Sequence, residues 1–199
     1  HYLDANDIVF GVTQSGRSIA LSNVDTIIGL LINTLPLRMR IDPQDTILSL
    51  LERMQDEMSD MYQYSYTPLA KIPSLVGLKS DAGLFDTLFV FENYPFDEDA
   101  LNKFNHFSIK GQRWIEKTEY PLTLTIIPRD RIGFSFSYQT QYFDAQAIRA
   151  VVTHLRFILK SMVTSPARLI QDLPKLNEVQ REQVIAQRLS TYLPYPNDT

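Results

Sequence analysis

Apolar residues recur with a period of two in some stretches of this chain and of three to four in others, and the changes of period divide it into elements. Residues 7–13 carry Ile8, Val9, Phe10 and Val12 in a short β-rich run ended by polar residues, which predicts a buried strand. Gln14, Ser15, Gly16, Arg17 and Ser18 supply its turn, and residues 23–28 a short helical turn. Residues 31–41 predict a second strand; Pro36 within it argues for an edge or a bend, because proline cannot donate to a ladder. Asp42, Pro43, Gln44 and Asp45 form a helix entry, with Asp45 as the capping side chain. Over residues 46–62, Ile47, Leu50, Leu51, Met54, Met58 and Met61 recur at helical spacing as one apolar stripe. Its methionines read as flexible core fillers rather than ligands.

Pro73, Gly77 and Gly83 make residues 71–82 a predicted loop. Residues 84–94 predict a strand, broken by Pro95, after which Asp97, Glu98 and Asp99 begin an acidic connection. Residues 107–115, 121–127 and 133–138 predict three further strands. In the last two, Leu122, Leu124 and Ile126 alternate, as do Phe134, Phe136 and Tyr138, and Pro128, Arg129, Asp130 and Arg131 between them predict a hairpin. Asp144 heads a second long helix over residues 144–162, with Ile148, Val151, Val152, Leu155, Ile158 and Leu159 on one side; Pro166 ends that region. Asn177 heads a third helix over residues 177–189, and residues 192–199, rich in turn formers, read as a linker. Strands interleaved with helices predict an α/β fold, a mixed β-sheet covered by helices.

Composition narrows the function classes. The chain has 199 residues, 44% hydrophobic and 21% charged, with a net charge of -4, so nothing favours nucleic acid as a partner. Cysteine is absent, which removes disulfides and thiolate metal sites and fits a cytoplasmic setting. A membrane-spanning helix needs about 20 apolar residues in succession, and no run approaches that. The chain opens on His1 rather than Met, as expected of a chain cut from something longer or processed.

Candidate chemistry is sparse. The three histidines, His1, His106 and His154, make no pair with helical metal-ligand spacing, and each suits a structural or surface role. Ser15, Gly16 and Arg17 lack the surroundings of a nucleophile elbow and suit a tight turn that needs glycine. Asp97, Glu98 and Asp99 are consecutive carboxylates of the kind usually solvated. Trp114, Phe107 and Tyr120 suit a core better than a ligand pocket. The residues alone give an α/β domain with no catalytic or metal site of its own.

Several blocks carry a resemblance beyond this. Residues 7–17 look like a "DDVVFGTTVSGR" stretch, and residues 28–38, from Ile28 and Gly29 through Asn33, Thr34 and Pro36 to Arg38, are similar to "IGxFINTLPxR". Residues 66–72 resemble "YxPLxxIQ", with Pro73 where glutamine is common, and residues 84–95 are close to "LFDTLLVFENYP". Residues 117–124 look like "TNYPLTL", with Glu119 where some members have asparagine, and residues 169–176 resemble "LxxLPLL". Together these blocks resemble the second half of a condensation domain from a nonribosomal peptide synthetase.

That resemblance implies one chloramphenicol-acetyltransferase-like lobe, the C-terminal one, over residues 1–176, and a helix and linker toward an adenylation domain over 177–199. It implies amide-bond formation between aminoacyl or peptidyl thioesters carried on phosphopantetheine arms. Those arms belong to upstream and downstream peptidyl carrier proteins, so the chain itself is expected to bind no cofactor. The family's His-His-x-x-x-Asp-Gly motif is not in this sequence, where no two histidines are adjacent. The N-terminal lobe is therefore the expected partner, with no activity expected from this part alone. A stretch between about residue 96 and residue 128 is expected to reach that lobe. By their match to the motifs, Thr118, Glu119 and Tyr120 are expected to line the substrate channel, Glu119 foremost. Gly29, Asn33, Thr34 and Arg38 are expected to stabilise the lobe or its tunnel floor. The alternatives are a non-catalytic condensation-like docking module for partner proteins, and a sister domain with epimerising or cyclising activity or a free-standing acyltransferase.

Overall fold

The computed structural model describes residues 5–17, 23–79, 83–92 and 118–173. The predicted strand at 107–115, the helix at 177–189, the linker, the acidic run Asp97 to Asp99, and His1, His106 and Trp114 lie outside the described residues. Among the described residues the chain forms an α/β fold: five strands in one mixed sheet, with three helices. The strands are β1 (Asp7–Gln14), β2 (Asn33–Arg40), β3 (Thr87–Phe91), β4 (Leu122–Pro128) and β5 (Ile132–Tyr138), in the order β2-β1-β3-β4-β5. The helices are α1 (Ile47–Gln63), α2 (Ile72–Leu75) and α3 (Ala145–Thr164).

β1, β3 and β4 run parallel, and β5 runs antiparallel to β4. β2 opposes β1 in direction. Asp7 at the start of β1 bonds Arg38 near the end of β2, while Gly16, past β1, abuts Leu31 ahead of β2. Pro36 thus lies in an edge strand, as its missing donor requires. On β2 the alternation is clean: Leu35, Leu37 and Met39 are buried. With Val12 and Leu88 they form the core of the sheet.

The β4–β5 hairpin sorts its side chains by chemistry. Leu122 faces Tyr138, Leu124 faces Phe136 and Ile126 faces Phe134, so aliphatic and aromatic groups meet on one face. Thr123 faces Ser137 and Thr125 faces Ser135, which makes the other face one of hydroxyls. Thr123 and Thr125 are the buried members of β4, while the leucines and Ile126 are only half-buried. The Thr123 hydroxyl bonds that of Thr118, so its burial leaves no orphaned polar group.

The chain divides into two compact units, one of residues 1–6, 40–54 and 145–199, the other of residues 7–39 and 55–144. In the first, the start of α1 is held by the segment after α3. The amides of Ile47 and Leu48, which have no carbonyl partner within the helix, donate to the carbonyls of Arg168 (3.0 Å) and Pro166 (3.0 Å). In return Ile170 and Gln171 donate to the carbonyls of Asp45 (2.9 Å) and Pro43 (3.0 Å). Ile47 is fully buried there. The cap itself differs from expectation. Thr46, not Asp45, accepts the Ser49 amide, and the Asp45 carboxylate instead pairs with Arg53. His154 is buried within α3.

The predicted loop at 71–82 contains α2, preceded by a 3-10 turn at Leu69–Lys71. Pro73 sits in its first turn, where a missing amide hydrogen is no loss. Gly77, at φ 76°, closes it: its amide donates to Ser74 (3.3 Å) and that of Leu78 to Pro73 (2.8 Å). The same proline and glycine that signal a loop are here the start and stop of a one-turn helix. The strand expected at 84–94 is shorter, Thr87–Phe91. The apolar stripe of α1 also needs correction, because Leu51 is 44% exposed whereas Ile47 is 0% exposed. Ile47→Ala should therefore lower stability by about 2–5 kcal/mol, and Leu51→Ala by less than about 0.5 kcal/mol, as read from urea unfolding midpoints.

Candidate functional site

Gly11 sits in β1 opposite Leu88 of β3. A β-carbon on Gly11 would collide with the ring carbons of Phe85, so the ring occupies the space that any other residue would fill. Phe85 is buried, and Tyr120 stacks on it at 5.2 Å between centroids, with 22° between planes. The absence of a side chain in β1 thereby fixes an aromatic pair just ahead of β3 and β4.

Tyr120 forms part of a cleft of about 610 Å³, lined by Thr118, Tyr120 and residues 136–141. Among the described residues the lining contains hydroxyls, amides and aromatic rings but no Asp, Glu, Lys, Arg or His. Gln139 braces its rim. Its Nε2 donates to the Glu119 carbonyl (2.9 Å), its Oε1 accepts from Gln141 Nε2 (2.8 Å), and its backbone amide donates to Pro121 (3.0 Å). Burial pushes the Tyr120 phenol above its ordinary pKa, and the negative charge of Glu119 adds to the rise. Among the described residues nothing in the lining is suited to general acid–base work near neutral pH, and what is there can hold and orient a ligand by shape and hydrogen bonds.

Of the three residues expected to line a channel, Thr118 and Tyr120 do form this cleft wall. The side chain of Glu119 is exposed and lies outside the lining, and its contribution is a backbone carbonyl. The sequence motifs do not single out Ser137, Gln139 and Gln141. The hairpin pattern could have pointed to them, because the end of β5 must lie beside the start of β4.

The other expected residues sit elsewhere. Because β1, β3 and β4 are parallel, Thr118 and Tyr120 lie at the end where β4 begins, whereas Gly29, Asn33 and Thr34 lie at the opposite end, where β1 finishes and β2 begins. Asn33 is a clamp. Its Nδ2 donates to the carbonyls of Ser65 (2.8 Å) and Thr67 (2.7 Å), and its Oδ1 accepts the Thr34 amide (3.0 Å). Arg38 makes a two-pronged pair with Asp7, at 2.8 and 2.7 Å, on an exposed part of the sheet. Such a pair fixes geometry more than it adds stability. Gly29 has φ 154° and open space around it, so its role is conformational. Ser15 accepts the Arg17 amide (3.3 Å) and Gly16 has φ 70°, the tight turn expected of them. Among the described residues there is no His, Asp and Glu cluster fit for a metal ion, and no helix long and apolar enough to cross a membrane.

A family model described as "Condensation domain" matches residues 1–185. The chain belongs to the condensation-domain family. One of the linear gramicidin synthase proteins of Brevibacillus parabrevis is 34% identical over 196 residues, covering 98% of this chain and 4% of that protein. Tyrocidine synthase 2 of the same organism is 32% identical over 202 residues, covering 100% of this chain and 6% of that protein. The chain thus spans only a few per cent of the length of such relatives. In fold it is similar to a four-domain nonribosomal peptide synthetase (TM-score 0.73, 19% identity, 88% of this chain and 14% of that one). It is also similar to the first condensation domain of the CDA synthetase (TM-score 0.63, 17% identity, 88% of this chain and 39% of that one). The mixed sheet with its helices is a condensation-domain architecture.

Asn33→Ala leaves two carbonyls without their donor and should lower stability by about 1–3 kcal/mol, seen as a shift in the urea midpoint. The folded state holds the Tyr120 phenol above its unfolded pKa of about 10. Its contribution is therefore fully present below that pH and is lost as pH rises through the folded value. Unfolding midpoints measured on either side of that pH should fall more steeply for wild type than for Tyr120→Phe.

Proposed function

We propose that this chain is the C-terminal lobe of a nonribosomal peptide synthetase condensation domain. The reading rests foremost on the family match over residues 1–185 in a chain with no adjacent histidines. In the reaction the amine of an acceptor aminoacyl thioester attacks the carbonyl of a donor thioester. A C–N bond forms, the C–S bond breaks, and the donor's phosphopantetheine thiol leaves with a proton. The histidine motif that acts on the amine belongs to the N-terminal lobe. This lobe supplies orientation, in keeping with a cleft whose described lining is neutral and hydrogen-bonding, with no base among the described residues.

The substrates arrive on phosphopantetheine arms of upstream and downstream carrier proteins, and the chain binds no cofactor of its own. Residues 1–176 form the lobe, and residues 177–199 lead toward an adenylation domain, in the cytoplasm. Thr118 and Tyr120 touch the acceptor side of the channel through the cleft, with Glu119 at its edge. Gly29, Asn33, Thr34 and Arg38 hold the framework.

The test combines this chain with the separately produced histidine-bearing half of the domain and two aminoacyl-loaded carrier proteins, with dipeptidyl thioester followed by mass spectrometry. Product is expected only when both halves are present. Product from this chain alone would place the active site elsewhere. No product from two folded, associated halves would favour a docking module instead.

A further inference from the structure

The part of the cleft that carries Thr118 and Tyr120 belongs to no strand; residues 118–121 form a bend that leads into β4. Its two lining side chains are fastened separately, Thr118 by the bond between its hydroxyl and that of Thr123, and Tyr120 by its stack on Phe85. The main chain between them is fastened from elsewhere. Gln139, just past β5, donates from Nε2 to the Glu119 carbonyl (2.9 Å), and its backbone amide donates to the Pro121 carbonyl (3.0 Å). Among the described residues no other hydrogen bond reaches the main chain of residues 119–121. Gln139 is itself held. Its carbonyl accepts the amides of Tyr142 (3.0 Å) and Phe143 (3.1 Å), and its Oε1 accepts Gln141 Nε2 (2.8 Å). With the oxygen so engaged, the side-chain amide presents its nitrogen to Glu119, and that orientation is set before any ligand arrives.

We propose that Gln139 is the positioning residue of this cleft: by holding the Glu119 carbonyl it fixes the bend that carries Thr118 and Tyr120 against the end of β5, and so fixes how tightly the acceptor is held. The proposal rests on the reading of residues 118–120 as part of the acceptor side of a condensation domain's channel. Gln139 acts through the bend and not on the reacting atoms. Without its side-chain donor the Glu119 carbonyl loses its partner and the bend between the two lining residues is free to move. A looser cleft weakens the hold on the acceptor in the ground state and the transition state alike, which raises the acceptor KM and leaves kcat in place. The donor, delivered by the other carrier, is untouched on this account.

The experiment combines this chain with the histidine-bearing half and two carrier proteins, each loaded in turn with the standard amino acids, and takes the pair giving most dipeptidyl thioester for kinetics. Wild type is compared with Gln139→Ala and with Gln139→Glu, which keeps the length and the bond from Gln141 but has no N–H to give the Glu119 carbonyl. Each variant should raise the KM for the acceptor carrier about five- to tenfold, keep kcat within about twofold and leave the donor KM unchanged. A residue that only supported folding would lower the active fraction, and so kcat, without moving either KM; that result would overturn the proposal. An unchanged acceptor KM in both variants, or an equal rise in both KM values, would overturn the assignment of Gln139 alone. Wild-type halves that give no product would overturn the lobe reading, and this proposal with it.

Discussion

The candidate site depends on a missing side chain. Gly11 leaves β1 bare at one position, Phe85 lays its ring there, and Tyr120 stacks on that ring. Tyr120 is then a wall of the cleft rather than a mobile surface phenol. An alanine at residue 11 would put its β-carbon inside the ring's contact distance, so the ring would have to leave and its partner with it. Three segments far apart in sequence are thus set by one steric vacancy, and two of them flank the parallel strands β3 and β4.

The same economy links the other family-like blocks. Asn33, in the block that begins β2, bonds the carbonyls that frame Tyr66. Asp7, at the start of β1, pairs with Arg38 from the far end of β2. The segment after α3 supplies carbonyls to the first amides of α1. Each block satisfies polar groups, or fills space, that another leaves open. Spacing along the chain is constrained because each partner must arrive in register, which is why the blocks are recognisable as a set.

Periodicity made the sheet legible, since Leu35, Leu37 and Met39, and the alternating residues of β4 and β5, repeat with the strand period. It could not distinguish Ile47 from Leu51, because both lie on one helical stripe and only tertiary packing decides which is covered. Residues 72–77 depart from the pattern for a different reason. Proline and glycine punctuate both loops and very short helices, and only the paired bonds from Gly77 and Leu78 separate the two. Thr46 and Asp45 are both competent caps, and the choice fell to Thr46 because Arg53 engages the carboxylate. Motif matching pointed to residues 118–120 as a group but not to which of them line the cleft, nor that residues at the end of β5 line it too.

The distribution of charge gives the cleft its chemical meaning. Charged side chains make up 21% of this chain, yet among the described residues the lining has none, and the side chain of Glu119, between two lining residues in sequence, is exposed. A site that transferred protons would need a group titrating near neutrality. One that holds and orients a neutral ligand needs neutral donors, acceptors and fixed walls, because a buried charge would impose its own desolvation and pairing demands. Stacking on Phe85 and the Gln139 brace supply that rigidity. Orientation by fixed, neutral walls is the chemistry that the described lining residues are equipped to perform.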